Sequence, residues 1–291
     1  MKKGIFIALS GILTILLMAG CTSAAASGFN HDRQINVISR ENGSGTRAAF
    51  IEVLGIEVTG DDGTVRDMTS DDAEIAPGTS IVLSRVEENT YAIGYISLGS
   101  LNDNVRAINI DGVSATAANV QNGTYPLFRT FYIAVQEDLD ELTADFVNFI
   151  LSAEGQAVAS SRGYVPVAAT SPAYVASGNL SGTIVVSGST SVEPLMQRLR
   201  EAYEAIHSNV TVEVHAGGSG AGINAAISGL ADIGMSSRTL RPSELEEVNA
   251  HAIAHDGLAV IVNNENPIPN LTPEQVRQIF VGDITRWNSL D

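Results

Sequence analysis

The chain has 291 residues, of which 44% are hydrophobic and only 17% charged, with 27 glycines and a formal net charge of -17. That length allows one large domain or two and can bury a substantial core. Thirty-three acidic residues against 16 basic exclude nucleic acid and anionic lipid surfaces as natural partners, because binding by counterion release needs clustered Lys and Arg.

The chain begins with a targeting pattern. Lys2 and Lys3 form a basic start, Gly4 to Leu17 an apolar run, and Met18-Ala19-Gly20 places small residues ahead of Cys21, the single cysteine. The apolar run is short for a full membrane span. Residues 1–20 are expected to be a signal peptide and residues 21–32 a small-residue tether.

Ile35, Val37 and Ile38 mark a short strand that leads into Ser39-Arg40-Glu41-Asn42-Gly43-Ser44-Gly45-Thr46-Arg47, with a helix expected over Arg47 to Leu54. Gly43 and Gly45 lack the Cβ atoms that would keep an ion from the backbone. Ser44 and Thr46 add hydroxyl donors, the helix start adds free N–H groups, and Arg40 adds a planar cation able to hold two oxygens. This chemistry suits an oxyanion. For GSGT alone, a Gly/Ser turn capped by Thr46 is the competing reading. An acidic surface does not forbid an anionic ligand, since surface charge is screened within about 10 Å and a dry pocket feels mainly its own donors.

Residues 58–80, rich in Asp, Gly and Thr, are expected to form a solvated surface loop; the pairs Asp61-Asp62 and Asp71-Asp72 lack the spacing of a calcium loop. Strands are expected at Tyr91–Ile96, Ala107–Ile110 and Thr130–Val135. One long amphipathic helix from about Leu139 follows, carrying Leu142, Phe146, Phe149, Ile150 and Val158. Residues 168–182 have linker composition. Beyond them, strands at Thr183–Val186, Val210–Val214 and Ala231–Met235 run into Gly188-Ser189-Thr190-Ser191, Gly217-Gly218-Ser219-Gly220-Ala221-Gly222 and Ser236-Ser237-Arg238. The segment Ile253–Asn263 follows, and Thr272-Pro273 caps a last helix. In open α/β sheets ligands bind at the carboxyl ends of strands, so three hydroxyl- and glycine-bearing turns, with Ser-Ser-Arg after a fourth strand, point to one anion site.

As a set, GSTSVEPLM (188–196), GGSGAGINAAISGLADIGMSSR (217–238), AHDGLAVIVN (254–263), LTPEQVRQIFVGDITRW (271–287) and SRENGSGTR (39–47) resemble the phosphate-binding receptors of bacterial phosphate ABC transporters. The resemblance covers nearly all of the chain after the tether. It implies an α/β, two-lobed periplasmic-binding-protein-like fold of type II. In that family the segment resembling 182–291 comes first and that resembling 28–167 second, so the halves here are exchanged. The expected arrangement is a circular permutant in which 168–182 joins the family's old termini. A fragment of a tandem array, or halves exchanged between two chains, are the alternatives. One lobe is then 133–258 and the other 28–128 plus 262–291, with crossovers near Arg129–Tyr132 and Leu258–Val262 and closure about that hinge.

Carried over position by position, the resemblance implies anion contacts from Thr190, Ser191, Ser219 and Ser237 in one lobe and from Arg40, Ser44, Gly45 and Thr46 in the other. Some members have Asp where this chain has Ser237. Asp256 is therefore expected to accept the proton of hydrogenphosphate, with Glu41 next in line. The resemblance further implies a lipoprotein anchored through Cys21 on the extracytoplasmic face of the membrane. Its partners would be inorganic phosphate and a membrane permease, with no cofactor and no metal. Two other classes compete. A hydrolase would use Ser44 or Ser191 with His255 and Asp256, but adjacent strand residues face opposite ways and make a poor triad. A structural or adhesion lipoprotein would have lost binding altogether.

Overall fold

The computed structural model describes residues 28–60 and 64–290; the expectations for the signal segment, Cys21, Asp61–Gly63 and Asp291 lie outside them. Strand β1 (Asn36–Arg40) is followed by helix α1 (Gly45–Val53), β2 (Glu57–Thr59), β3 (Val65–Asp67), β4 (Glu74–Ala76), α2 (Thr79–Glu87) and β5 (Ala92–Ser97). Next come β6 (Val105–Ala107), β7 (Asn109–Ile110), α3 (Ala117–Gln121), β8 (Phe128–Val135), α4 (Glu141–Leu151) and α5 (Ala153–Ser161). The remainder is β9 (Gly182–Gly188), α6 (Glu193–Ile206), β10 (Val210–Ala216), α7 (Ser219–Ile227), β11 (Ile233–Ser236), α8 (Pro242–Leu245), β12 (Asn249–Asn263), β13 (Asn270–Leu271) and α9 (Pro273–Val281).

One sheet runs β10-β9-β11-β8-β12-β5-β1-β4, with β6 added beside β12. Strand β12 belongs to both halves of it. Residues Asn249–Gly257 pair antiparallel with β8, and Leu258–Val262 pair antiparallel with β5. From Gly257 to Asn263 every residue is buried, which explains the unbroken apolar run Leu258–Val262 in place of an alternating one. Each half carries its own core. Phe50, Tyr95, Phe280 and Trp287 gather on the β5 and β1 side, and Phe146, Phe149, Tyr203 and Met235 on the β9 and β11 side.

Local chemistry accounts for most boundaries. Thr272 and Gln275 form a reciprocal capping box at the start of α9, and Gly282 ends it in the left-handed region at φ 90°. The helix expected from Leu139 is two helices. Ser152 is extended, at ψ 170°, and its hydroxyl caps α5 by accepting from Gly155 N–H, so the apolar periodicity continues across a break. The loop expected over 58–80 contains strands: β2 and β3 form an exposed ribbon, while β4 joins the main sheet beside β1. Helix α1 starts earlier than expected, with Ser44 rather than Thr46 as its cap; Ser44 Oγ accepts from Arg47 N–H.

The last described residues lie against the first. Asn288 N–H donates to the His31 carbonyl at 2.7 Å, Ile35 N–H to the Thr285 carbonyl at 2.8 Å, and the rings of Phe29 and Trp287 meet edge to face at 5.6 Å. The stretch between α5 and β9 is tied down as well. The Tyr174 hydroxyl donates to Asp145 of α4, which also accepts from Tyr203 Oη at 2.8 Å and Ser177 N–H at 3.2 Å. His207 Nε2 lies 2.7 Å from the same Tyr174 oxygen.

Candidate functional site

Four helix starts converge between the two halves of the sheet, each bringing hydroxyls. Helix α1 brings Thr46, α2 brings Thr79, α7 starts at Ser219, and α6 follows Ser189-Thr190-Ser191. Helix N-termini expose N–H groups and carry partial positive charge, so their convergence favours negative charge.

The side chains form a connected network. Thr46 and Ser191 hydroxyls lie 2.7 Å apart; Thr79 reaches Thr190 at 3.2 Å and Ser191 at 3.4 Å. Ser191 N–H donates to Ser189 Oγ at 3.2 Å, and Ser189 Oγ donates to Ser237 Oγ at 2.9 Å. Ser219 Oγ lies 3.4 Å from Ser237 Oγ and accepts from Ser237 N–H at 3.1 Å. All of these residues are buried apart from Thr190, which is partly exposed. Hydroxyls that donate to one another can equally turn to donate to an anion.

Arg40 is the buried cation of this cluster, 1% exposed. Its Nε and Nη2 each donate to the Glu41 carboxylate at 2.8 Å, and Nη2 also donates to Thr190 Oγ1 at 3.0 Å. Its Nη1 is buried without a hydrogen-bond partner among the described residues. A buried charged donor left idle costs about 1–3 kcal/mol or more, so this nitrogen marks where an acceptor belongs. Burial pushes the Glu41 carboxyl upward, but Arg40 and the Gly78 N–H outweigh it and hold the group below its ordinary value.

Backbone contacts join the halves at the same place. Gly220 N–H donates to the Gly43 carbonyl at 3.1 Å. Gly45 packs directly on α7, where an added Cβ would collide with Ser219 and lie 2.7 Å from Ser237 Oγ. Glycine at 45 is required by this close approach and not by its φ.

The structure thus brings Arg40, Gly45, Thr46, Thr190, Ser191, Ser219 and Ser237 together. Ser44 lies alongside as the cap of α1. Asp256 is placed differently: Oδ1 accepts from Ser97 Oγ at 2.8 Å, and Oδ2 accepts from Nε and Nη2 of Arg129 at 3.1 Å each. The expected proton acceptor is therefore already engaged by a buried cation and makes none of the hydroxyl contacts above. His255 Nδ1 lies 2.9 Å from Thr130 Oγ1, not against Ser44 or Ser191. Thr79 lies outside the expected site, and Ser189 belongs to an expected turn but not to the expected anion contacts. Thr79 was hidden by the loop reading of 58–80, although Gly78-Thr79 repeats the glycine-hydroxyl signature of Gly218-Ser219. Among the described residues, no group of three or more His, Cys, Asp or Glu could hold a metal ion, and no helix is long and apolar enough to cross a membrane.

Comparison with known proteins gives a consistent result. Residues 22–154 and 173–291 match the family described as "PBP superfamily domain". The chain is 43% identical over 286 residues to phosphate-binding protein PstS 2 of Streptococcus agalactiae, covering 98% of this chain and 96% of the relative. It is 42% identical over 289 residues to PstS 2 of Streptococcus pneumoniae, covering 99% of each. The crystal structure of a phosphate-binding protein of a phosphate ABC transporter from Streptococcus pneumoniae superposes with a TM-score of 0.71 at 44% identity, covering 89% of this chain and all of that one.

Proposed function

Because the chain belongs to the PBP superfamily and, within it, to the PstS-type phosphate-binding proteins, we propose that it captures inorganic phosphate outside the cytoplasm and delivers it to the permease of an ABC transporter. The observation that carries this reading is the idle, buried Nη1 of Arg40 beside a network of hydroxyls at four helix starts. Each bond from such a donor to a charged oxygen contributes about 1.5–3 kcal/mol net, so several bind a small oxyanion without a basic surface.

In this reading Arg40, Thr46, Thr190, Ser191, Ser219 and Ser237 donate to the ion, Gly45 offers backbone and space, and Ser44 fixes the helix start. The residues 28–128 with 262–291 act as one lobe, 133–258 as the other, and capture closes them about the strands that cross between. The protein is held at the membrane by lipid on Cys21. Its order of halves is a circular permutation: the packing of 285–288 on 29–35 within one chain, and the docking of the 168–182 stretch through Tyr174, support it. The match along nearly the full length of two streptococcal relatives supports the same order of halves in them.

Calorimetry on purified protein with phosphate, and with sulfate in competition, tests the reading. Tight phosphate binding without turnover of a chromogenic phosphoester is the expected result. Turnover would restore the hydrolase, and no binding of either ion would leave a structural lipoprotein.

A further inference from the structure

A second buried guanidinium, that of Arg129, is left unused by the reading above. Arg129 on β8 stands directly opposite Asp256 on β12, at the point where β12 passes from one half of the sheet to the other. Both side chains are almost wholly buried, at 3% and 1% exposure. Nε and Nη2 of Arg129 are committed to Asp256, and Ser97 of β5 secures the other carboxylate oxygen. Arg129 Nη1 is buried with no hydrogen-bond partner among the described residues, as is Arg40 Nη1. Gly99, whose N–H lies 3.5 Å from Asp256 Oδ1, lines one cavity with Thr79 and Thr190, so the Arg129–Asp256 pair borders the hydroxyl network. The interior between the halves therefore holds two ion pairs, Arg40–Glu41 and Arg129–Asp256, each with an idle Nη1.

We propose that Arg129 is the second cation of the anion site: its idle Nη1 and its charge act on the bound ion together with Arg40, and Asp256 holds Arg129 in place instead of accepting the ligand's proton. This rests on the phosphate reading of the same site. An anion beside both arginines removes their mutual repulsion and satisfies donors that are otherwise costly to bury. Coulomb energy scales with ligand charge, so the second cation favours the dianion of phosphate over the monoanion.

The groups facing Arg129 are Asp256, Tyr164, Arg40 and, through Asp256, Tyr125. Burial pushes both tyrosines well above neutral pH. Burial raises the Asp256 carboxyl while Arg129 pulls it back, and His255, on the other face of β12, is held below its ordinary value by burial.

The test is the dissociation constant of inorganic phosphate at pH 6, where the monoanion dominates, and at pH 8, where the dianion does. It is measured for the parent, Arg129→Gln, Arg129→Lys and Asp256→Asn, with unliganded melting curves to confirm folding. Arg129→Gln should weaken binding about tenfold at pH 8 and about threefold at pH 6, since halving the ligand charge halves the lost energy. Arg129→Lys should lose less, and Asp256→Asn, which removes a negative charge, should bind at least as tightly as the parent at both pH values. Equal losses at both pH values in Arg129→Gln, or weakened binding in Asp256→Asn, would overturn the proposal and leave the pair a structural clasp. No phosphate binding by the parent would instead remove the underlying function.

Discussion

Thr46 and Ser191, 145 residues apart in the chain, hold their hydroxyl oxygens 2.7 Å apart across the junction of the two sheet halves. The hydroxyls meet because α1 and the loop before α6 point their starts at the same spot, and a spot so lined is suited to an oxyanion.

Arg40 should dominate the affinity. Arg40→Ala is expected to weaken phosphate binding about a hundredfold or more, from bonds worth about 1.5–3 kcal/mol each. That exceeds the loss from Thr46→Val or Ser191→Ala. Arg40→Lys should recover only part, because a point charge cannot reproduce the fork that grips Glu41 and Thr190 at once. Calorimetry reads this directly; unchanged affinity in Arg40→Ala would remove the loop from the site.

Gly45 should set how far the halves can close. Gly45→Ala places a methyl group into Ser219 and Ser237, so each half should fold normally while closure is blocked. The expected outcome is an affinity loss of more than about tenfold with melting temperature nearly unchanged. Small-angle scattering should show the same radius with and without phosphate. Adding Ser219→Gly should restore part of the closure, which a simple loss of a ligand contact would not do.

The Tyr174 network predicts a pH-dependent stability. Burial raises the Asp145 carboxyl, but donors from Ser177, Tyr174 and Tyr203 outweigh it and hold the group below its ordinary 3.8. A carboxylate depressed in the folded state stabilises fully above that ordinary value and loses its contribution as pH falls through the folded one. Tyr174→Phe should cost about 1–3 kcal/mol at neutral pH and flatten the acid limb of the melting-temperature profile, with phosphate affinity unaltered. A profile parallel to the parent's would show that Tyr174 does not set the Asp145 titration.

Chain order is open to direct manipulation. A rearranged chain running from Gly182 to Leu290, then through a short bridge into Gly28–Val167, should fold as a monomer and bind phosphate like the parent. Folding only as a dimer would favour halves exchanged between chains, and failure to fold would count against the permutation.

The anion loop after β1 was legible because its glycines, hydroxyls and arginine are contiguous and flanked by a strand and a helix pattern. The loops before α6 and α7 were legible for the same reason. Thr79 was not, since the short strand β4 ahead of it, with two of its three residues exposed, carries no apolar run to announce a strand-to-helix turn. Arg129 left no local signal at all. It stands near the start of β8 beside Thr130, and its meaning lies in the register that sets it opposite Asp256, 127 residues away. Asp256 was singled out as an acidic residue ending an apolar run, but composition could not say that a buried cation had already claimed it.

Strand β12 also governs the order in which this molecule can be made. The core on the β9 side needs Ile253 and Ala254, and the core on the β5 side needs Leu258, Val260, Val262 and then Phe280 and Trp287. As the chain emerges from its N-terminus, β1, β4 and β5 can pair with one another and β8 can pair with β11, but β12, which joins β5 to β8, comes only after all of them. Chains that stop before Asn249 can form the strand sets β4-β1-β5 and β10-β9-β11-β8, but the strand between them is missing and neither half can close its interior. Closure of both halves thus waits on the same late strand, with α9 and Trp287 after it completing the β5 side, and the two cores share a common fate from that moment.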